Sequence, residues 1–193
     1  IMNGTVNIFK PKGMTSHDVV NIMRKKLKIK KVGHAGTLDP NVAGVLILCL
    51  GKGTRISEYL LELDKEYIGE LTLGMETDTQ DIDGKVLNYS NKIPKEFEIL
   101  EVFESYSGWI EQVPPMYSAL KHKGKKLYDL AREGKVVSRE ARKVHIKDLE
   151  VLNNLDNKKI LFKVGCSKGT YIRTLCNDIG ESLGTYGYTS YLI

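Results

Sequence analysis

Cysteine is scarce in this chain, and its spacing excludes more than its number does. Cys49, Cys166 and Cys176 are odd in count and widely separated, with no CxxC pair among them. The four histidines, His17, His34, His122 and His145, supply no HxxxH spacing. Neither a zinc site nor a disulfide framework is therefore encoded, and reduced thiols in a cytoplasmic protein are the expectation. Long apolar runs are also lacking: the longest, Gly44 to Leu50, is far shorter than the ~20 residues a membrane helix needs. The first residues, IMNGTVNIFKPKG, contain no apolar core of a secretory signal. A phosphate loop is missing too. In GVLILCLGKGT six residues separate Gly44 from Gly51, and Gly53 stands between Lys52 and Thr54, so GxxxxGK[ST] is not met. No internal repeat or low-complexity segment occurs.

What is present is an ordinary globular composition. The 193 residues are 41% hydrophobic and 27% charged, enough for one sizeable core rather than two complete domains. The net charge of +5 is unevenly spread. Residues 24 to 31, RKKLKIKK, hold six basic side chains and no acid; residues 121 to 143 hold nine against Asp129, Glu133 and Glu140. The two stretches carry +12 together, leaving −7 on the rest. Either run alone reads as a solvated helix face. Two on an otherwise acidic chain favour a polyanionic partner, because Lys and Arg displace counterions from phosphates.

Periodicity gives the elements. Thr5 to Phe9 reads as a strand stopped by the turn Lys10-Pro11-Lys12-Gly13. Thr15 or Ser16 caps a helix with Asp18 in its first turn and Val20, Met23 and Leu27 on one face. A loop from Gly33 to Asn41 leads to a buried strand, Val45 to Leu50. Lys65 to Met75 alternates, with Tyr67, Gly69, Leu71, Leu73 and Met75 on one side and Ile68, Glu70 and Thr72 on the other. The polar loop ETDTQDIDG precedes a short strand, Lys85 to Tyr89. Pro94 opens a helix containing Phe97, Leu100 and Phe103, closed by Gly108. QVPPMYSALKHKGKK reads as an extended loop before a short helix, Leu127 to Arg132. Val144 to Leu152 and Lys159 to Cys166 form a hairpin. A last helix follows Lys168-Gly169-Thr170, its apolar face being Ile172, Leu175, Ile179 and Leu183. Without a βαβ rhythm, the expected class is α+β, with a mixed, largely antiparallel sheet flanked by helices.

The stretch GHAGTLDPNVAGVLILCLGKGTR raises a chemical question. Proline after Asp39 pushes that aspartate away from helical geometry, and Gly33 and Gly36 permit conformations closed to other residues. The apolar strand behind them anchors the loop, so the carboxylate stands on a rigid ledge. An Asp-Pro turn serving structure alone fits the same residues.

Residues 34 to 46, HAGTLDPNVAGVL, resemble the catalytic motif of the TruB family of pseudouridine synthases. Further family landmarks follow in order: KPKGMTS at 10 to 16, DKEYIGELTLGMETDTQDIDG at 64 to 84, QVPPMYSALKHKGKKLYDLAREG at 112 to 134 and CSKGTYIRTLCNDIG at 166 to 180. The resemblance thus spans essentially the whole chain. It implies one catalytic domain over 1–193, with an insertion at about 112–143 that clamps RNA. The small PUA-like C-terminal RNA-binding domain usual in the family is absent from this sequence.

The implied reaction is isomerisation of a uridine in the T loop of tRNA, position 55, to pseudouridine. The ribose C1′–N1 bond breaks and uracil C5 joins the same carbon, so neither metal nor cofactor is required. A carboxylate can act as nucleophile at such a centre or stabilise a cation-like ribose. The resemblance assigns that part to Asp39, with Arg173 pairing its charge and Tyr67 as a further catalytic residue, its ring stacking on the flipped base and its hydroxyl near the chemistry. Tyr171 and Leu192 line the uracil pocket, and His34 touches RNA and fills the space left by the extruded nucleotide. Lys10 and Pro11 brace the loop, and Asp81 either holds its own loop or contacts RNA. The partner implied is the tRNA T arm, with no membrane, no obligatory protein partner and no guide RNA, for a cytoplasmic monomer. Two other classes stand beside this reading: a non-catalytic RNA-binding or RNA-folding module using the same clamp, and a nucleotide hydrolase.

Overall fold

The computed structural model describes residues 2–193, and the backbone gathers into two compact units. The first comprises residues 2–64 with Leu192 and Ile193; the second comprises residues 65–191.

The first unit opens with β1 (Gly4–Lys10), α1 (Ser16–Leu27), β2 (Val32–His34) and β3 (Gly44–Leu50). The strands form one antiparallel sheet in the order β1-β3-β2. Thr15 caps α1: its side chain accepts from the Asp18 N–H, and the Asp18 carboxylate accepts the Thr15 N–H at 2.8 Å. The helix lays Val19 and Val20 on Val32, Leu46, Leu48 and Leu50, with Val6, Ile8, Met14, Met23 and Leu27 around them. Each fully buried leucine there contributes about 1.5–3 kcal/mol. A 3-10 turn, Gly51–Ile56, and α2 (Ser57–Glu62) follow, a helical segment the sequence reading missed. Its Ile56, Tyr59 and Leu61 point largely to solvent, so no apolar stripe marks it.

In the second unit, β4 (Lys65–Leu73) alternates as expected and ends at Gly74; Met75 opens β5 (Met75–Thr77), which pairs with β6 (Val86–Tyr89). Next come α3 (Glu96–Ser105), β7 (Gly108–Gln112), the short pair β8 (Lys121–His122) and β9 (Lys125–Lys126), and α4 (Leu127–Arg132). The chain continues through β10 (Arg142–Leu155), β11 (Lys159–Cys166), α5 (Ile172–Ser182) and β12 (Gly187–Leu192). Five strands make one sheet in the order β12-β4-β11-β10-β7, and the paired registers of β4, β11, β10 and β7 are antiparallel. Val144, Ile146, Ile160, Phe162, Val164, Leu71 and Leu73 form its buried side. Phe162 meets Phe103 of α3 edge-on at 5.9 Å. From α5, Ile172, Leu175, Ile179 and Leu183 are buried, the four the sequence reading proposed.

Further details differ from expectation. Helix α3 buries Ile99 and Phe103, while Phe97 and Leu100 are exposed. Both stripes have helical spacing, and burial of the i, i+4 pair decided which face turned inward. The segment read as an extended loop after Gln112 contains the β8–β9 hairpin, turned at Lys123 and Gly124, both with positive φ. The three cysteines are free and buried, Cys49 in the first unit and Cys166 and Cys176 in the second. Among the described residues no helix is long and apolar enough to cross a membrane.

Candidate active site

The residues singled out from the sequence fall into both units. Lys10, Pro11, His34, Asp39 and Leu192 lie in the first; Tyr67, Asp81, Tyr171 and Arg173 lie in the second.

Asp39 is half-buried on the irregular segment between β2 and β3. Such a segment has no ladder partners, so its carbonyls must be met by side chains. Lys10, the last residue of β1, is fully buried. Its amine donates to the carbonyls of Pro11 (3.0 Å), Met14 (2.9 Å) and Pro40 (3.3 Å). The Gly13 N–H donates to the same Pro40 carbonyl at 2.8 Å. Ser16 at the start of α1 closes the other side: its Oγ accepts the Leu38 N–H at 3.0 Å and donates to the Leu38 carbonyl at 3.3 Å. The Val42 N–H donates to the Asp39 carbonyl at 3.0 Å, completing a turn around the proline. Burial pulls the Lys10 amine below its usual range, and the Asp39 charge opposes that pull.

Of the two glycines flanking His34, only Gly36 needs to be one. Its φ is +142°, whereas Gly33 sits in β2 with a φ open to other residues. His34 Nδ1 donates to the Gly36 carbonyl, fixing the ring over its own loop. Gly44 is demanded by its φ of +149° and not by space: a Cβ there would meet Leu38 Cδ1 at 3.6 Å and the Ile193 carbonyl carbon at 3.8 Å, ordinary contacts. Leu192 is buried next to Ile193.

In the second unit Asp81, Tyr171 and Arg173 of the candidate residues come together at the start of α5. Arg173, 8% exposed, donates from Nη1 to the Thr79 carbonyl (2.8 Å) and from Nη2 to the Tyr117 carbonyl (3.0 Å). Asp81 Oδ2 lies 3.8 Å from Nη1, and its Oδ1 accepts from Thr79 Oγ1 at 2.5 Å and from the Asp83 N–H at 3.1 Å. Asp81 thus holds its own loop and faces the guanidinium at once. Next to it, Gln80 Oε1 accepts from Thr174 Oγ1 at 2.8 Å. Tyr171 occupies the N-cap position of α5 without a capping side chain of its own. Gln112, 1% exposed, supplies the missing hold: its Oε1 accepts the Tyr171 N–H at 3.0 Å and its Nε2 donates to the Tyr171 carbonyl at 3.2 Å. Tyr67 is half-buried on β4 opposite Val164 of β11.

Ser16 and Gln112 are the positioning residues that the sequence reading did not find. Ser16 stood there as a helix cap. Gln112 carried one signal, a polar residue at an inward register of a strand, which demands a buried partner.

The segment at about 112–143, expected from the sequence to be an insertion, buries apolar side chains and carries charge outside. Leu127 and Leu130 of α4 are buried. Lys125 and Lys135 approach Glu133 at 3.8 and 2.7 Å, and the Lys135 bond holds that carboxyl below its usual range. Arg132 and the Lys126 amine lie over the Tyr128 ring at 5.4 and 5.2 Å. Such exposed pairs contribute little to stability.

With this geometry in place, comparison with known proteins is specific. Residues 24–172 match the family described as "TruB family pseudouridylate synthase (N terminal domain)", a span that includes His34, Asp39, Tyr67, Asp81 and Tyr171 and stops one residue before Arg173. The chain is 56% identical over 192 residues to a tRNA pseudouridine synthase B of Alkaliphilus oremlandii, and 49% identical over 194 residues to that of Clostridioides difficile. It is covered in full by the first and to 99% by the second, and spans 64% of the length of each. Among solved structures it resembles a Cbf5-Nop10-Gar1 complex chain with a TM-score of 0.75 at 35% identity, over 98% of this chain and 47% of that one. An H/ACA RNP bound to a substrate RNA containing 2′-deoxyuridine gives 0.72 at 32%, over 98% and 45%. By its family match and by these relatives, the chain belongs to the TruB family of pseudouridylate synthases.

Proposed function

We propose that this chain is the catalytic part of a cytoplasmic, monomeric enzyme that isomerises a T-loop uridine of tRNA, position 55, to pseudouridine. The observation that carries the reading is the Asp39 loop, a carboxylate ledge tied down from Lys10, Gly13 and Ser16. Preorganisation of this kind lets a charged group act without rearranging as the reaction proceeds.

Asp39 serves as the nucleophile or cation-stabilising group at ribose C1′, and Arg173 offsets its charge. Tyr67 stacks on the extruded uracil; Tyr171 and Leu192 line its pocket; His34 contacts the RNA from which it left. The N1–C1′ bond breaks, uracil turns, the C5–C1′ bond forms, the C5 proton leaves to solvent and N1 gains one. Atoms balance, so the reaction draws on no cofactor, metal or co-substrate. Flipping the nucleotide costs about a few kcal/mol, which phosphate contacts from the insertion at about 112–143 repay as it closes on the T arm. The insertion supplies these contacts from the same chain, so no guide RNA or protein partner is needed.

The test is a T-arm stem-loop transcript carrying labelled uridine, incubated with the chain and no added cofactor, then digested and resolved. Wild type yields the C-linked isomer; Asp39→Asn yields none while still binding the transcript. Unchanged isomer formation in Asp39→Asn would refute the catalytic assignment. Binding without isomer in wild type would leave the RNA-binding module.

A further inference from the structure

Trp109 is the sole tryptophan of the chain, and the structure leaves it 71% exposed on edge strand β7. Its ring stacks on His145 of β10, centroids 4.8 Å apart and planes 21° from parallel. The two residues are register partners across the antiparallel ladder. Val144 and Ile146, on either side of His145, are buried, so alternation puts Trp109, Glu111, Lys143 and His145 on the opposite face of the sheet. His145 is held from below: its N–H donates to Ser167 Oγ at 2.9 Å and its carbonyl accepts the Ser167 N–H at 2.8 Å. One face of the indole is thus covered by an imidazole whose backbone is pinned on both sides, and the other is open.

The position matters as much as the ring. Gln112 and Arg142, which bound the insertion, pair three rungs further along the same ladder, roughly 10 Å away. The platform therefore stands at the foot of one of the two basic stretches of the chain. Around it, Lys143 and Lys147 of β10 are exposed, against Glu111 of β7, which pairs in register with Lys143, and Asp148, which follows Lys147; Arg142, the partner of Gln112, is exposed on the other face. A flat aromatic face flanked by cations suits an unpaired base on a phosphate backbone, because every base offers a π-face while its phosphates meet the lysines. A protein or lipid surface would use the indole without needing a planar, ring-backed face.

We propose that Trp109, backed by His145, is a stacking platform for an unpaired base of the bound RNA, outside the site that holds the reacting uridine. The proposal rests on the RNA reading given above and adds a second point of base contact to it.

The indole reports on itself. Titration of wild type with the T-arm stem-loop transcript, and with a single-stranded oligouridylate, quenches its emission with the midpoint found by filter binding; a blunt RNA duplex of the same charge does not. Trp109→Ala weakens filter-binding affinity for the transcript by roughly 10-fold or more, the value of one lost stack, whereas Trp109→Phe stays within about threefold of wild type. The quenching arm uses unmutated protein, so it stands whatever the variants do. The platform is overturned if wild type binds and isomerises the transcript with its emission unmoved, or if Trp109→Ala binds as tightly as wild type. If wild type neither binds nor isomerises the transcript, the RNA reading itself fails, and the platform falls with it.

Discussion

The loop bearing Asp39 and the helix bearing Arg173 are both fixed by buried side chains, but the fixing groups are of different kinds. Beside Asp39 two irregular segments, the turn at 11–14 and the step at Pro40, turn carbonyls inward, so the suitable partner is a group that only donates, and Lys10 gives its amine to three of them. At the start of α5 the N-cap residue presents an N–H and a C=O side by side. An amide matches that pair, and Gln112 meets both from the end of β7. The backbone to be held selects the side chain that holds it: a cation for a loop of acceptors, an amide for a helix start.

The comparison can be broken most forcefully at Lys10. Lys10→Met keeps the bulk and leaves the carbonyls of Pro11, Met14 and Pro40 without that donor. We expect a loss of about 2–4 kcal/mol in denaturant unfolding, with pseudouridine formation abolished even under conditions where the variant is folded. A smaller effect is expected from Gln112→Leu, because the Tyr171 carbonyl still accepts the Leu175 N–H of the helix. Here the cost is about 1–3 kcal/mol, and single-turnover rates at saturating RNA fall more than RNA affinity does. Should Gln112→Leu cost more than Lys10→Met, the contrast between the two devices would be wrong.

Asp178 sharpens the point by being a half-buried acid with weak support, an Asn177 amide contact at 3.4 Å. Burial pushes its carboxyl up to about 6 from 3.8, helped by the charge of Glu181. A raised carboxyl favours the folded state while protonated: its contribution is fully present below about pH 3.8 and lost as pH rises through about 6. Asp178→Asn should therefore stabilise the chain by about 1–2 kcal/mol at pH 8, with the gain vanishing near pH 4. Thermal melts at the two pH values measure it.

Much of the fold could be read where one period and one burial choice agree. Helix α1 announced itself through Thr15 and Asp18, β4 through strict alternation, and α5 through an apolar stripe that packs as expected. In α3 the apolar residues 97, 99, 100 and 103 allowed two stripes, and packing chose between them. Gly33 and Gly36 are the same letter to a reader of sequence, yet only the second has a φ that demands it. The candidate site could be proposed from the sequence as a set of residue types, with Asp39 held before a proline in a glycine-bounded loop. What supports it could not be, because a buried lysine or glutamine becomes visible only when the carbonyls it answers are in place.

The distribution of thiols has a practical consequence. Cys49 lies in one unit and Cys166 and Cys176 in the other, all essentially without solvent contact, and burial pushes Cys176 up to about 12. None can be alkylated until the backbone around it parts. The order in which masses appear under a thiol reagent therefore timestamps which half of the molecule breathes first, with no engineered label.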